Sequence, residues 1–159
     1  MIRKVVSGGQ TGVDRAALDV ALELGLACGG WCPKGRRAED GPLDPRYPLA
    51  ETPSAEYRQR TEWNVRDADG TLVLARGALT GGTAQTVALS RRMGKPHLVL
   101  DLDAQPSASA ALAWADAFRV ETLNVAGPRE GSRPGIYAQA ASLLRQAFAR
   151  GAQAANAVQ

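Results

Sequence analysis

Apolar positions along the chain follow two alternating rhythms, short runs of strand-forming residues and longer stretches with apolar residues at helical spacing. Ile2-Arg3-Lys4-Val5-Val6 reads as a strand, and Val13 to Leu24 reads as an amphipathic helix with Gly25 at its C-cap. Leu26 to Trp31 reads as a second strand. The next segment carries Pro33, Pro42, Pro45, Pro48 and Pro53 with Gly35 and Gly41, a density that predicts no regular structure. Ser54 is a candidate N-cap for a helix to about Arg66. Thr71 to Ala75 is a third strand, Ala84 to Met93 a helix stopped by Gly94 and Pro96, and Pro96 to Leu102 a fourth strand. Ser107 can cap a helix to about Phe118, Glu121 to Ala126 is a fifth strand, and Ile136 to Arg150 a closing helix. Residues 1–151 then form one domain, and residues 152–159 a frayed tail.

Strands alternating with helices predict an α/β sandwich whose five-stranded parallel sheet is covered on both faces. The expected strand order is 2-1-3-4-5. Ligands bind such sheets beyond the carboxyl ends of the strands, where the order reverses. In this order the reversal brings Ser7-Gly8-Gly9-Gln10-Thr11-Gly12, after the first strand, beside Thr80-Gly81-Gly82-Thr83, after the third. A glycine turn opening a helix presents unpaired N–H groups and a partial positive charge, which suits a phosphate. A plain tight turn between strand and helix is the other reading of either loop alone.

Composition narrows the ligand class. The 159 residues carry 19 Lys and Arg against 16 Asp and Glu, a net charge of +3. These charges are spread along the chain with no basic stripe, so a small anion is expected rather than nucleic acid. No run reaches the roughly 20 apolar residues of a membrane span and no signal peptide opens the chain, which predicts a cytoplasmic protein with no membrane partner. Cys28 and Cys32, the two cysteines, complete no metal-ligand set. They read as reduced thiols, with redox or molybdenum chemistry as the alternative.

The glycine turns differ from the G-x-G-x-x-G dinucleotide fingerprint and from a Walker A loop. The inventory on offer is backbone N–H groups of the glycines, hydroxyls of Ser7, Thr11, Thr80 and Thr83, and the cations Arg15, Lys34 and Arg36, the last two flanking Gly35. Lys34 to Arg36 open the Pro-rich segment, which reads as a lid over the ligand or as solvated surface. Asp14 either contacts the ligand or serves the helix dipole and Arg15. Gln10 and Asn64 are amides able to read a heterocycle edge, and Trp31 and Trp63 can stack on one or fill core. His97 reads as structural, and no Ser-His or Cys-His pairing supports a nucleophile, so no catalytic residue is assigned.

Four blocks carry a resemblance. Ser7 to Asp19 (SGGQTGVDRAALD), Gly30 to Arg36 (GWCPKGR), Arg60 to Asp67 (RTEWNVRD) and Leu79 to Thr83 (LTGGT) together resemble the molybdenum cofactor carrier family. That family belongs to a Rossmann-like group that includes lysine-decarboxylase-like phosphoribohydrolases and DNA-processing protein A. The resemblance implies a Rossmann-like fold, homo-oligomers, and glycine loops that hold the phosphate of molybdopterin, or of a nucleotide across the wider group. It also implies a molybdoenzyme or a cofactor-synthesis enzyme as partner. The phosphoribohydrolases place a catalytic Glu after the second glycine turn, whereas Ala84-Gln85-Thr86 stands here. A Gln has no carboxylate to serve as acid or base, so a carrier is expected rather than a hydrolase, with Asp14 or Glu62 as the residues that could substitute.

Overall fold

The computed structural model describes residues 1–157. In chain order these run β1 (Lys4–Val6), α1 (Val13–Glu23), β2 (Ala27–Gly29), β3 (Trp31–Cys32), β4 (Ala50–Glu51), α2 (Tyr57–Asp67), β5 (Gly70–Ala75), α3 (Gly81–Arg92), β6 (His97–Asp101), α4 (Ala108–Ala117), β7 (Thr122–Ala126) and α5 (Ile136–Ala157). Helix α5 continues past Gly151, so residues 152–157 are helical where the sequence predicts fraying. Residues 158–159 of that predicted tail lie outside the described residues.

The sheet is parallel and five-stranded, as expected, but its order is β2-β1-β7-β5-β6. Counted over these five strands it reads 2-1-5-3-4, in place of the expected 2-1-3-4-5. The last strand is inserted between the first and third. Burial explains the insertion: Leu123, Asn124 and Val125 of β7 are buried, whereas Val99 and Asp101 of β6 are exposed, so β6 belongs at an edge despite its apolar run. Strand β7 pairs with β1 (Val5↔Leu123) and with β5 (Thr71↔Asn124). The Asn124 Nδ2–H donates to Thr71 Oγ1 at 3.2 Å across the second pairing. A one-residue slip would bury both polar groups unpaired, so this contact fixes the register.

Helices α1, α4 and α5 cover one face, where Val13, Leu72, Leu123, Ile136 and Leu144 belong to the main core. Each large aliphatic side chain buried there contributes roughly 1.5–3 kcal/mol. Helices α2 and α3 pack together on the other face, with Val87 of α3 against Val73 and Ala75 of β5. The expected second strand breaks in two at Gly30, whose φ is +118°. A Cβ there would stand 2.6 Å from the Ser7 carbonyl oxygen, so only glycine passes this point. Beyond the break, β3 pairs with β4 from within the Pro-rich segment, and Leu43, Tyr47 and Leu49 pack with Cys32 against Leu18 of α1. The segment expected to lack regular structure is therefore a packed flap with a two-stranded sheet. Among the described residues no helix is long and apolar enough to cross a membrane.

Candidate ligand-binding site

Loops after β1, β5 and β7 meet at the carboxyl edge of the sheet, and each leads into a helix. Two of those helix ends are closed by the protein. At α1, the Val13 N–H donates to the Pro128 carbonyl at 3.3 Å, and a Cβ on Gly12 would come within 2.4 Å of that same oxygen. The remaining turn is satisfied internally: Gly9 N–H donates to Ser7 Oγ, Gln10 N–H to Asp14 Oδ2, and Thr11 N–H to Gln10 Oε1. At α5, the Glu130 carboxylate accepts from the Gly135 and Tyr137 N–H groups. Helix α3 is different. Its first turn is Gly81-Gly82-Thr83 itself, Thr80 makes no side-chain cap, and Gly82 has no atom within 4 Å of where its Cβ would lie. The glycine turn read in the sequence as preceding the helix is thus its open N-terminus, with the N–H groups of Gly81 to Thr83 free to meet an anion.

That end faces a cavity of about 280 Å³ lined by Gly8, Gln10, Asp14, Asn64 and Thr80 to Thr83, among others. The same cavity is lined by residues the sequence reading leaves out of the site: Tyr57 and Arg60 from α2, Asn124 from β7, and Arg129, Ser132 and Arg133 from the loop after β7. Arg60 lies flat over the first turn, where a Cβ on Gly8 would overlap its Nη1. Its Nη1–H donates to Asp14 Oδ2 at 2.9 Å, and both side chains are nearly enclosed, 11% and 5% exposed. Burial pushes the Asp14 carboxyl above its ordinary value, and the charge of Arg60 only partly offsets this. The guanidinium groups of Arg37, Arg60 and Arg129 surround the Tyr57 ring at 4.8, 5.3 and 5.5 Å from its centroid. Ion pairs among the described residues leave Arg129 and Arg133 without a carboxylate. The lining is cationic, with Asp14 as its carboxylate.

Gln10 gives an independent sign. Its Oε1 accepts from the Thr11 and Glu39 N–H groups, while its Nε2 is buried with no partner among the described residues. Leaving such a donor unsatisfied costs about 1–3 kcal/mol, and Gln10 is one of the residues that line the cavity. The Arg60 Nε–H is likewise buried without an acceptor.

The other residues singled out in the sequence are spread more widely. Ser7 supports the turn, its Oγ–H donating to the Asp14 carbonyl. Thr11, Gly12 and Arg15 line a separate, open depression beside Tyr47 and Glu130. Arg15 is held bidentate by Asp40, and this pairing keeps the Asp40 carboxyl below its ordinary value. Asn64 lines the cavity, yet both ends of its amide bond the backbone of Trp31. Trp31 packs edge-on against Trp63, away from the cavity lining. Lys34 and Gly35 are exposed and outside that lining. Arg36 spends its guanidinium on the carbonyls of Leu43, Asp44, Tyr47 and Leu49, pinning the flap. An Arg36→Met variant is expected to lose about 2 kcal/mol of stability and to become sensitive to protease within residues 37–50; equal cleavage rates for variant and wild type would contradict this role. Among the described residues no three His, Cys, Asp or Glu side chains cluster as a metal site.

The profile of the circularly permutated YpsA SLOG family matches residues 5–148. The chain belongs to this family. A crystal structure of a protein from Syntrophus aciditrophicus SB, named "Putative molybdenum carrier protein", is similar at 45% sequence identity and a TM-score of 0.88, over 92% of this chain and 94% of that one. No curated protein matches the chain. Membership of the circularly permutated YpsA SLOG family accounts for the strand order. Counted from β7 as the first strand, β2-β1-β7-β5-β6 becomes 3-2-1-4-5, the doubly wound Rossmann order. The switch point of that order lies between β7 and β5. The cavity sits there; the sequence reading puts the reversal between β1 and β5, and β7 stands between those two strands, while residues of both predicted loops still line the cavity.

Proposed function

We propose that the protein holds a small phosphate-bearing ligand in this cavity, that the ligand is the molybdenum cofactor (molybdopterin), and that the role is carriage or storage. The observation that supports it most is the open α3 N-terminus at a cavity lined by Arg60, Arg129 and Arg133. Gly81 to Thr83 would take the phosphate oxygens, Arg60, Arg129 and Arg133 would balance its charge, and Gln10 would donate to an acceptor further along the ligand. The volume of about 280 Å³ is near the lower end of small-molecule sites and suits a phosphorylated monocycle or bicycle better than a dinucleotide. Gln85 lines the cavity, so a neutral amide stands where hydrolysis would call for a carboxylate. The 45% identical protein is named a molybdenum carrier, which supports a molybdenum-bearing ligand over other phosphate esters. In this reading the protein is cytoplasmic and homo-oligomeric, and exchanges the ligand with a molybdoenzyme or with an enzyme of cofactor synthesis.

A nucleoside monophosphate is the second reading, favoured by the same cavity size and by the Gln10 donor, which can meet a base acceptor. Calorimetric titration with the molybdenum cofactor, metal-free molybdopterin, a set of nucleoside monophosphates and inorganic phosphate separates them. Saturable micromolar binding of either pterin, tighter than of any nucleotide, is expected. Preference for a nucleotide would replace the carrier reading with a sensor, and release of free base on incubation would replace it with a hydrolase.

A further inference from the structure

Among the described residues Asp14 is the one carboxylate lining the cavity, and its two oxygens are in different states. Oδ2 accepts from the Gln10 N–H at 3.3 Å and from the Arg60 Nη1–H at 2.9 Å, so its lone pairs are taken. Oδ1 accepts from no group among the described residues. Nor is it sealed in. The buried side-chain atoms left without a partner are Gln10 Nε2, Arg60 Nε, Arg76 Nε and Gln139 Oε1, and Asp14 Oδ1 is not one of them. The side chain is only 5% exposed, so what remains open of it is this oxygen, facing the cavity. A second acceptor, Oδ1 of Asn124, is free in the same cavity, since the other end of that amide donates to Thr71 Oγ1.

The lining thus offers two kinds of partner. The open α3 N-terminus with Arg129 and Arg133 suits an anion. An ionised carboxylate accepts and never donates, so a phosphate dianion set against Asp14 Oδ1 would meet like charge and bring no hydrogen. What fits Oδ1 is an N–H group on the uncharged part of the ligand. Adenine and cytosine place a ring-nitrogen acceptor beside their amino group, which would aim a lone pair at the carboxylate. The 2-amino-4-oxopyrimidine ring shared by pterins and guanine places a ring N–H there instead, giving two adjacent donors.

We propose that Asp14 determines the specificity of the site, selecting ligands with a 2-amino-4-oxopyrimidine edge whose amino group donates to its Oδ1. This rests on the phosphate-binding reading of the cavity and applies equally to molybdopterin and to a guanine nucleotide. The test is calorimetric titration of the wild type and of Asp14→Asn with guanosine monophosphate, with inosine monophosphate, which lacks only the 2-amino group, and with inorganic phosphate. Wild type is expected to hold the guanosine compound at least about tenfold more tightly than the inosine compound. In Asp14→Asn the amide oxygen can keep the Arg60 bond and turn its NH2 into the cavity, replacing an acceptor by a donor. Preference should then pass to xanthosine monophosphate, which carries a carbonyl in place of the amino group, while affinity for inorganic phosphate stays within about threefold. Equal wild-type affinity for the guanosine and inosine compounds would overturn the proposal and leave the cavity reading intact, whether or not the variant folds. Failure of phosphate and of every nucleotide to bind would overturn both. A variant that loses affinity for all ligands alike, with the guanosine-to-inosine ratio unchanged, would reduce Asp14 to a structural role and overturn it as well. So would a gain of about tenfold or more in phosphate affinity, which would put the carboxylate beside the phosphate.

Discussion

Replacing Arg60 by methionine is expected to destabilise the protein by about 3 kcal/mol near neutral pH, because it leaves the Asp14 carboxylate buried without its counter-charge. The pair is enclosed, with side chains 11% and 5% exposed, so solvent screening takes little of this away. The effect should depend on pH in a definite direction. Burial raises the Asp14 pKa in the folded state above its unfolded value, so the folded chain binds that proton more tightly. The stability Asp14 contributes is then complete below the unfolded pKa and is lost as pH rises through the folded one. Without Arg60 the folded pKa climbs further. The deficit of the variant should therefore be smaller at an acidic pH than at a mildly alkaline one, growing as pH rises through the folded-state titration of Asp14. Urea unfolding at the two pH values measures this, and a deficit that does not change with pH would show that Arg60 acts through packing alone. Affinity for a phosphate-bearing ligand should fall in the same variant by roughly 10- to 100-fold, since a cavity cation is removed.

A Gly82→Val variant should fold normally and lose ligand. The position has ordinary helical space around it, with nothing within 4 Å of the added Cβ, and valine is no worse than glycine inside a helix. The new side chain would occupy the volume in front of the α3 amides. Affinity for inorganic phosphate and for molybdopterin is expected to drop at least about 100-fold, while the melting temperature stays within a few degrees. Undiminished binding in the folded variant would move the site elsewhere. Gly9→Val, which looks equivalent in the sequence, is a different experiment. Its φ is +76°, and an added Cβ would press to 2.7 Å on Leu43 and 2.8 Å on Leu49, so it should fail by displacing the flap.

The difference between Gly9 and Gly82 marks how far the chain could be read without coordinates. Each helix and each strand of the five-stranded sheet announced itself through apolar spacing and its flanking glycines and prolines, because those signals are local, whereas β4 lay hidden in the Pro-rich segment. Strand order is not local. The insertion of β7 depends on which strand is buried on both faces, and the apolar run of β6 resembles a central strand until Val99 is seen at the surface. The same limit applies to the site. Thr80 to Thr83 could be found as a helix-opening turn, but that Pro128 plugs the α1 end and Glu130 caps α5 depends on a loop more than a hundred residues downstream of Gly12. Arg36 looked like a phosphate ligand because it is cationic and near a strand end; four backbone carbonyls claim it instead. Arg60 was visible within a family block, without any local sign that it reaches back across Gly8.

The central place of β7 also sets the order of events during synthesis. A ribosome delivers β1, β2, β5 and β6 before the strand that joins the two halves of the sheet exists. Until Thr122 to Ala126 emerge, β1 and β5 each present a bare inner edge, and the loop that supplies Arg129 and Arg133 has not been made. A nascent or truncated chain therefore lacks β7 at the base of the cavity as well as two of its three arginines, Arg129 and Arg133. If the protein carries the ligand proposed above, loading would be confined to chains extended past Arg133, so a labile cargo would not be committed to a chain still being made.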